Sequence, residues 1–210
     1  AIRAVTGRTL ERAGLTVGEI DHFDLYSCFP SAIEIACREL GLDEDDPRNV
    51  TVTGGLPFFG GPGNNYVTHS IATMVERVRA APRSLGLVTA NGSYLAKHAA
   101  GVYSTTPLTG PWEQHASDGL QESLDKVPKA PLIDGAAGPA RIESYTLAFG
   151  RNGPEKAILL ARLIDGNQRF LANTARAPKI LQRFLENDMV GAEGTAQVVD
   201  GKSEFVLAGH

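Results

Sequence analysis

The chain has 210 residues, with 20 Lys and Arg against 24 Asp and Glu, for a formal net charge of −4. That balance supplies no broad basic field for nucleic acid or an anionic membrane surface, and no apolar run reaches the ~18 to 20 residues of a spanning helix. With 42% apolar residues the chain is able to bury a sizeable core.

Residues Ile2 to Ala13 have the apolar spacing of an amphipathic helix, and Gly14 is a suitable stop. A connector, Leu15 to Asp21, leads to a strand over His22 to Tyr26. Ser31 with Glu34 forms a capping-box pattern at the head of a second helix, which buries Ile33, Ala36 and Leu40 and stops at Gly41. The acidic run Asp43 to Asp46 has the character of a solvated loop. Asn49 to Thr53 is β-branched enough for a short strand. It enters a glycine-rich loop, Gly54 to Asn65, followed by a helix from Tyr66 to Arg79. A buried strand over Ser84 to Ala90 ends at Asn91-Gly92-Ser93, and another apolar segment runs to Tyr103.

This alternation over residues 1–104 predicts helices packed on a sheet. Residues 105–139 have few apolar runs and several prolines, and suit a linker with one short helix, Leu120 to Val127. Residues 140–210 differ again: five strand-like runs are separated by the turn signals Asn152-Gly153, Asp165-Gly166 and Asp200-Gly201, with one helix from Pro178 to Asn187. A small antiparallel β-barrel is the expected solution, because closure protects sheet edges.

Three loops follow strand ends, where open α/β sheets collect ligands. They are Tyr26 to Phe29, Gly54 to Asn65, and Asn91 to Tyr94. The glycine loop allows close backbone approach, and its N–H groups suit an anion or a polarised carbonyl oxygen. The expected ligand contacts are Gly54, Gly55, Gly60, Gly61, Gly63, Asn64 and Asn65, with Ser27, Cys28 and Gly92 from the flanking loops. Cys28 and Cys37 lack the spacing of a zinc clip or a disulfide framework, which favours small buried side chains in a reduced, cytoplasmic compartment. Among the histidines, His98 is the candidate base, since imidazole titrates near neutral pH. His22, His69, His115 and His210 have the settings of surface, helix, linker and terminal residues, and no metal cluster emerges.

The segment Asp21-His22-Phe23-Asp24-Leu25-Tyr26-Ser27-Cys28-Phe29 resembles the thiolase segment that ends in Asn-Glu-Ala-Phe, or His-Asp-Cys-Phe in the sterol-carrier type. Thr53-Gly54-Gly55 through Gly60-Gly61-Pro62-Gly63 resembles the thiolase stretch Asn-Gly-Gly followed by Gly-His-Pro-x-Gly. Gly86 to Ser93 is similar to the strand and loop that carry the thiolase Cys-x-Gly. All three agree in order and spacing, so the resemblance implies an α/β thiolase-like half-fold with helices on a mixed sheet. It covers residues 1–104.

That resemblance implies an acetyl-CoA acetyltransferase-like protein in lipid metabolism whose ligand is CoA, an acyl-CoA or another acyl thioester, with no resident cofactor. It also implies weakened chemistry. The family histidine falls at Gly61, which has no acid–base group. The family's second cysteine falls at Asn91, which donates hydrogen bonds but cycles no proton. The first-loop Asn or His falls at Tyr26, a phenol and a poor base. The acylated cysteine belongs to an N-terminal half, which becomes the expected partner of this chain; nucleic acid and membrane are not expected partners. Ala1 in place of Met, inside a helical pattern, fits a fragment or processed product.

Overall fold

A computed structural model describes residues 1–61, 63–107 and 119–208. It contains two compact units, Ala1–Lys126 and Val127–His210. The first holds α1 (Ile2–Ala13), a 3-10 turn at Val17–Glu19, β1 (His22–Asp24), α2 (Pro30–Leu40), α3 (Leu56–Phe59), α4 (Tyr66–Ala80), β2 (Leu85–Gly92), β3 (Lys97–Ser104) and α5 (Leu120–Asp125). The sheet is mixed: β1 pairs parallel with β2, and β2 pairs antiparallel with β3.

Strand alternation assigns the two faces. Phe23, Leu25 and Leu87 pack with Leu10 of α1 and with Ala36 and Cys37 of α2, while Val88 meets Met74 and Val78 of α4. Gly86 sits directly beneath Met74, where a Cβ would overlap the thioether, so glycine sets how closely α4 approaches the sheet. The helix stops expected at Gly14 and Gly41 are both left-handed C-caps.

Two local expectations are corrected. Ser31 caps nothing: the N-cap is Phe29, and Pro30 occupies the first turn without any side-chain cap. Proline pre-sets the helical φ and lacks the N–H that a cap would satisfy. Asn49–Thr53 is not a strand, because its N–H groups go elsewhere: those of Val52 and Thr53 donate to Asp24 at 3.1 and 3.3 Å.

The acidic run is only partly a solvated loop. Arg48 Nε and Nη2 donate to the two carboxylate oxygens of Asp46 at 2.8 and 2.7 Å, and Nη1 reaches the carbonyls of Val17 and Ile20. The guanidinium also lies over the Phe23 ring, 4.8 Å from its centroid. These side-chain hydrogen bonds from Arg48 hold the Asp46 carboxyl down at about 2, against an ordinary 3.8. A folded-state value below the unfolded one gives stability that is complete above the ordinary carboxylate range and is lost as pH falls through about 2. Urea unfolding at a series of acidic pH values should therefore show the gap between wild type and Asp46→Asn closing over that window. A gap that stays constant would mean the Arg48 clamp is absent in solution.

The second unit holds β4 (Gly138–Gly150), β5 (Gly153–Leu163), β6 (Arg169–Thr174), α6 (Pro178–Glu186), β7 (Glu193–Val199) and β8 (Lys202–Leu207). They close into a barrel of order β4-β5-β6-β8-β7. The expected barrel is present, but it is not wholly antiparallel, since β6 and β8 pair in parallel at Asn173–Thr174. Small and large residues alternate inward, as in Ala157, Leu159 and Ala161 facing Phe170, and Leu181 and Phe184 of α6 join this core. Pro131 to Ile133, inside the stretch that composition marks as linker, hydrogen-bonds to Arg169 of β6. Burial would raise the Glu143 carboxyl, but hydrogen bonds from Arg162 and Arg169, both at 2.6 Å, outweigh it and hold it below the usual range. Among the described residues no helix is long and apolar enough to cross a membrane.

Candidate functional site

Parallel pairing of β1 with β2 brings their carboxyl ends together, and the three loops converge there. Tyr26 N–H donates to Thr89 Oγ1 at 2.9 Å, fixing the first loop to β2. Leu56 N–H donates to Ser27 Oγ at 2.8 Å, fixing the glycine loop to the first. Asn91 Nδ2 donates to Cys28 Sγ at 3.5 Å, and the rings of Phe29 and Tyr94 stack at 6.3 Å. Ser27 is buried and spends its oxygen on the loop, so it acts as a support. Cys28 is half-buried rather than enclosed.

Tyr26, Asn91 and His98 line one small cavity between α1, α2 and the β2–β3 hairpin, with Thr6, Thr89 and Leu95. Asn91 and His98 are direct cross-strand partners, which places both side chains on the same face. Asn91 Oδ1 accepts from Leu95 N–H at 3.1 Å, so the amide is oriented and its NH2 is the donor side. His98 Nε2 lies 2.7 Å from the Leu95 carbonyl. A carbonyl only accepts, so Nε2 carries the proton and Nδ1 remains as the acceptor. The Tyr26 phenol is pushed up by burial and by the neighbouring Cys28 and Tyr66, which keeps it a donor near neutral pH.

The glycine loop does not line that cavity. It contains one turn of helix, α3, and Gly61 lies against the head of α4 with φ 144°. A Cβ at Gly61 would sit 2.7 Å from Tyr66 Cβ and 2.8 Å from Tyr66 Cα. Side chains are therefore excluded at this position by backbone geometry. Asn65 Nδ2 meets His69 Nε2 at 2.9 Å, and Phe59 packs on His69 at 5.3 Å. Gly92 closes β2 opposite Lys97. His22 Nε2 is buried without a partner, whereas Pro62, His115 and His210 lie outside the described residues. Among the described residues no group of three His, Cys, Asp or Glu could hold a metal ion.

Sequence reasoning missed Asp24. It is fully buried, and Oδ2 accepts from Thr51 Oγ1 at 2.9 Å and from the Val52 and Thr53 N–H groups. Oδ1 accepts from Tyr66 at 3.0 Å and Ser70 at 2.7 Å. The single Thr53 hydroxyl proton is shared between Asp24, at 3.2 Å, and Tyr66, at 2.7 Å. Asp24 thus joins β1, the entry to the glycine loop and α4. The available signal was an acidic residue inside an apolar strand, His22-Phe23-Asp24-Leu25.

Residues 119–202 match the family model described as the thiolase-like protein type 1 additional C-terminal domain. A stretch of 84 residues is 30% identical to a 3-ketoacyl-CoA thiolase of Aeromonas hydrophila subsp. hydrophila, covering 40% of this chain and 22% of that protein. The three converging loops, the mixed sheet between helices and these similarities support a class: a thiolase-superfamily protein. Within it, the crystal structure of a monomeric SCP2-thiolase-like protein type 1 from Mycobacterium smegmatis matches with a TM-score of 0.88 and 38% identity. The match covers 99% of this chain and 45% of that one, so the chain spans less than half the length of either relative.

Proposed function

We propose that this chain contributes to an acyl-thioester site, with CoA or an acyl-CoA as ligand, and that it does not support ordinary thiolysis or Claisen condensation. The observation that carries this reading is the pairing of a donor-rich cavity with a glycine loop that excludes a catalytic side chain. Asn91 N–H and the Tyr26 hydroxyl are suited to hold a thioester carbonyl oxygen. Gly61 provides no imidazole and has no room for one. His98 retains Nδ1 as an acceptor, the proton-accepting candidate among the residues that line the cavity. An N-terminal thiolase-like half is the partner this reading requires for any acyl transfer, and the unpaired cysteines suit a reducing cytoplasmic setting.

Calorimetric titration with CoA and acetyl-CoA, beside an acetoacetyl-CoA thiolysis assay on the chain together with an N-terminal thiolase-like half, tests the proposal. Saturable binding without turnover is expected. Turnover at rates usual for thiolases would overturn the non-catalytic part, and a role for His98 would then show as sensitivity to His98→Ala.

A second reading draws on the surface. Phe58 and Tyr94 are each 90% exposed, with Phe29 and Phe59 beside them on the converging loops. Such aromatic exposure suits a protein-interaction module. Failure of every CoA ligand to bind would favour it.

A further inference from the structure

The second unit carries an open groove of about 480 Å³ between the start of β5 and α6. That lies in the ~300–1,000 Å³ range of ordinary ligand sites. The groove exists because the β5–β6 ladder stops short. Its last pair is Ile158 with Asn173, after which β6 runs against β8 through Thr174. The Ala157 N–H donates to the Thr174 hydroxyl at 3.2 Å in place of a strand carbonyl. From Gly153 to Lys156, β5 is paired on its β4 side alone among the described residues. A bulge falls in the same stretch: Lys156 faces Ala148 and Pro154 faces Phe149, which leaves Glu155 as the extra residue. The Glu155 carboxylate lies over Gly150, where a Cβ would overlap it.

The lips of the groove carry opposite charges. If the β5–β6 register continued, Glu155 would face Arg176. Both line the groove, and neither has a hydrogen-bond or ion-pair partner among the described residues. Between them the lining is apolar: Pro154, Pro178, the buried Leu181 and Leu185, which is 48% exposed. We propose that this groove docks an extended segment of a partner protein, laid along the unpaired side of Gly153–Lys156. An acidic side chain of that segment meets Arg176, a basic one meets Glu155, and an aliphatic one covers Leu181 and Leu185. An extended main chain suits the site because a strand without a neighbour on one side is completed by strand addition. Charges of both signs on the lips suit a segment that carries both signs itself. The inference is independent of the acyl-thioester reading, since every residue of the groove belongs to the second unit.

The test is an NMR titration of the isotope-labelled 210-residue chain with the capped peptide Lys-Thr-Val-Thr-Glu. Its Lys, Val and Glu share one face when extended. Saturable shifts are expected at Glu155, Lys156, Ala157 and Leu185. The neutral peptide Gln-Thr-Val-Thr-Gln should bind about fivefold more weakly, the scale of two exposed charge pairs. Arg176→Glu should weaken the charged peptide by about fivefold and leave the neutral one unchanged. Shifts that do not saturate, shifts confined to other residues, or equal binding of the two peptides would each overturn the proposal. Hexanoate displacing the charged peptide at equal concentration would assign the groove to a small carboxylate and overturn it as well. The comparison of the two peptides on the wild-type chain decides the matter even if the variant does not fold.

Discussion

Replacing Gly61 with histidine, the residue that the family pattern has there, is expected to destabilise the first unit by about 2–4 kcal/mol and to yield no thiolysis. The obstacle lies at the Cβ and not at the ring. With φ at 144° and Tyr66 Cβ only 2.7 Å from the new atom, any side chain collides before its functional group is placed. Tyr66 cannot retreat cheaply. It is 1% exposed, its hydroxyl is bound to Asp24, and its ring meets Tyr26 edge-on at 5.5 Å. Gly61→Ala should therefore cost nearly as much as Gly61→His, and urea unfolding of the two variants measures this directly. If alanine proves neutral and only histidine destabilises, the loop backbone is free to adjust and Tyr66 does not exclude a side chain at this position.

Removal of the Asp24 carboxylate is expected to have the largest effect on stability. Asp24→Ala leaves the buried Tyr66 and Ser70 hydroxyls and the partly buried Thr51 hydroxyl and Val52 and Thr53 amides without their acceptor. Each buried donor left unmatched costs about 1–3 kcal/mol, though relaxation recovers part of the sum. A net loss of about 3–5 kcal/mol is expected, because five neutral donors lose a shared acceptor. Asp24→Asn keeps one acceptor oxygen but points an NH2 group at other donors, and should lose about 2–4 kcal/mol. Hydrogen exchange localises the effect: protection should fall at Thr53, Gly55 and Leu56 and stay unchanged in the barrel strands. A loss below about 1 kcal/mol for Asp24→Ala would rule out the network.

These two residues differ in how visible they are in the sequence. Gly61 stands out in a run of glycines between strand and helix, so the loop is legible as unusual, though the cause of its emptiness is not. Comparison with the family pattern makes the missing histidine look like a lost group, whereas the packing of Tyr66 makes it an excluded one. Asp24 is hidden because strand periodicity reports which residues are buried and not what they bind. The same limit explains the misread strand at Asn49–Thr53. Its β-branched composition fits a ladder, but its amides are satisfied by a side chain from 28 to 29 residues away in sequence. The capping box at Ser31 fails for a more local reason, since Pro30 already determines the first helical turn.

The candidate site divides in the same way. The thiolase resemblance singles out Tyr26 and Asn91, an imidazole seven residues after Asn91 singles out His98, and the fold brings all three to one cavity. Which atom of each is free depends on Leu95. Its backbone occupies His98 Nε2 and the Asn91 carbonyl oxygen, through a turn in which Ser93, Tyr94 and Leu95 all take positive φ. No sequence pattern announces three consecutive non-glycine residues in that conformation.

By itself, the sequence determined the main helices, the strands β1 and β2, the positions of the three loops, the strand runs of the barrel and the residue types available for chemistry. Those features follow from periodicity, turn residues and side-chain identity, all of which are local along the chain. Only the tertiary structure decided that the barrel closes through a parallel pair, that Asp24 ties the glycine loop to α4, that Gly61 has no room for a side chain, and that about 20 Å³ remains beside Asn91. Each of these depends on distances between residues far apart in sequence, set by how the elements pack.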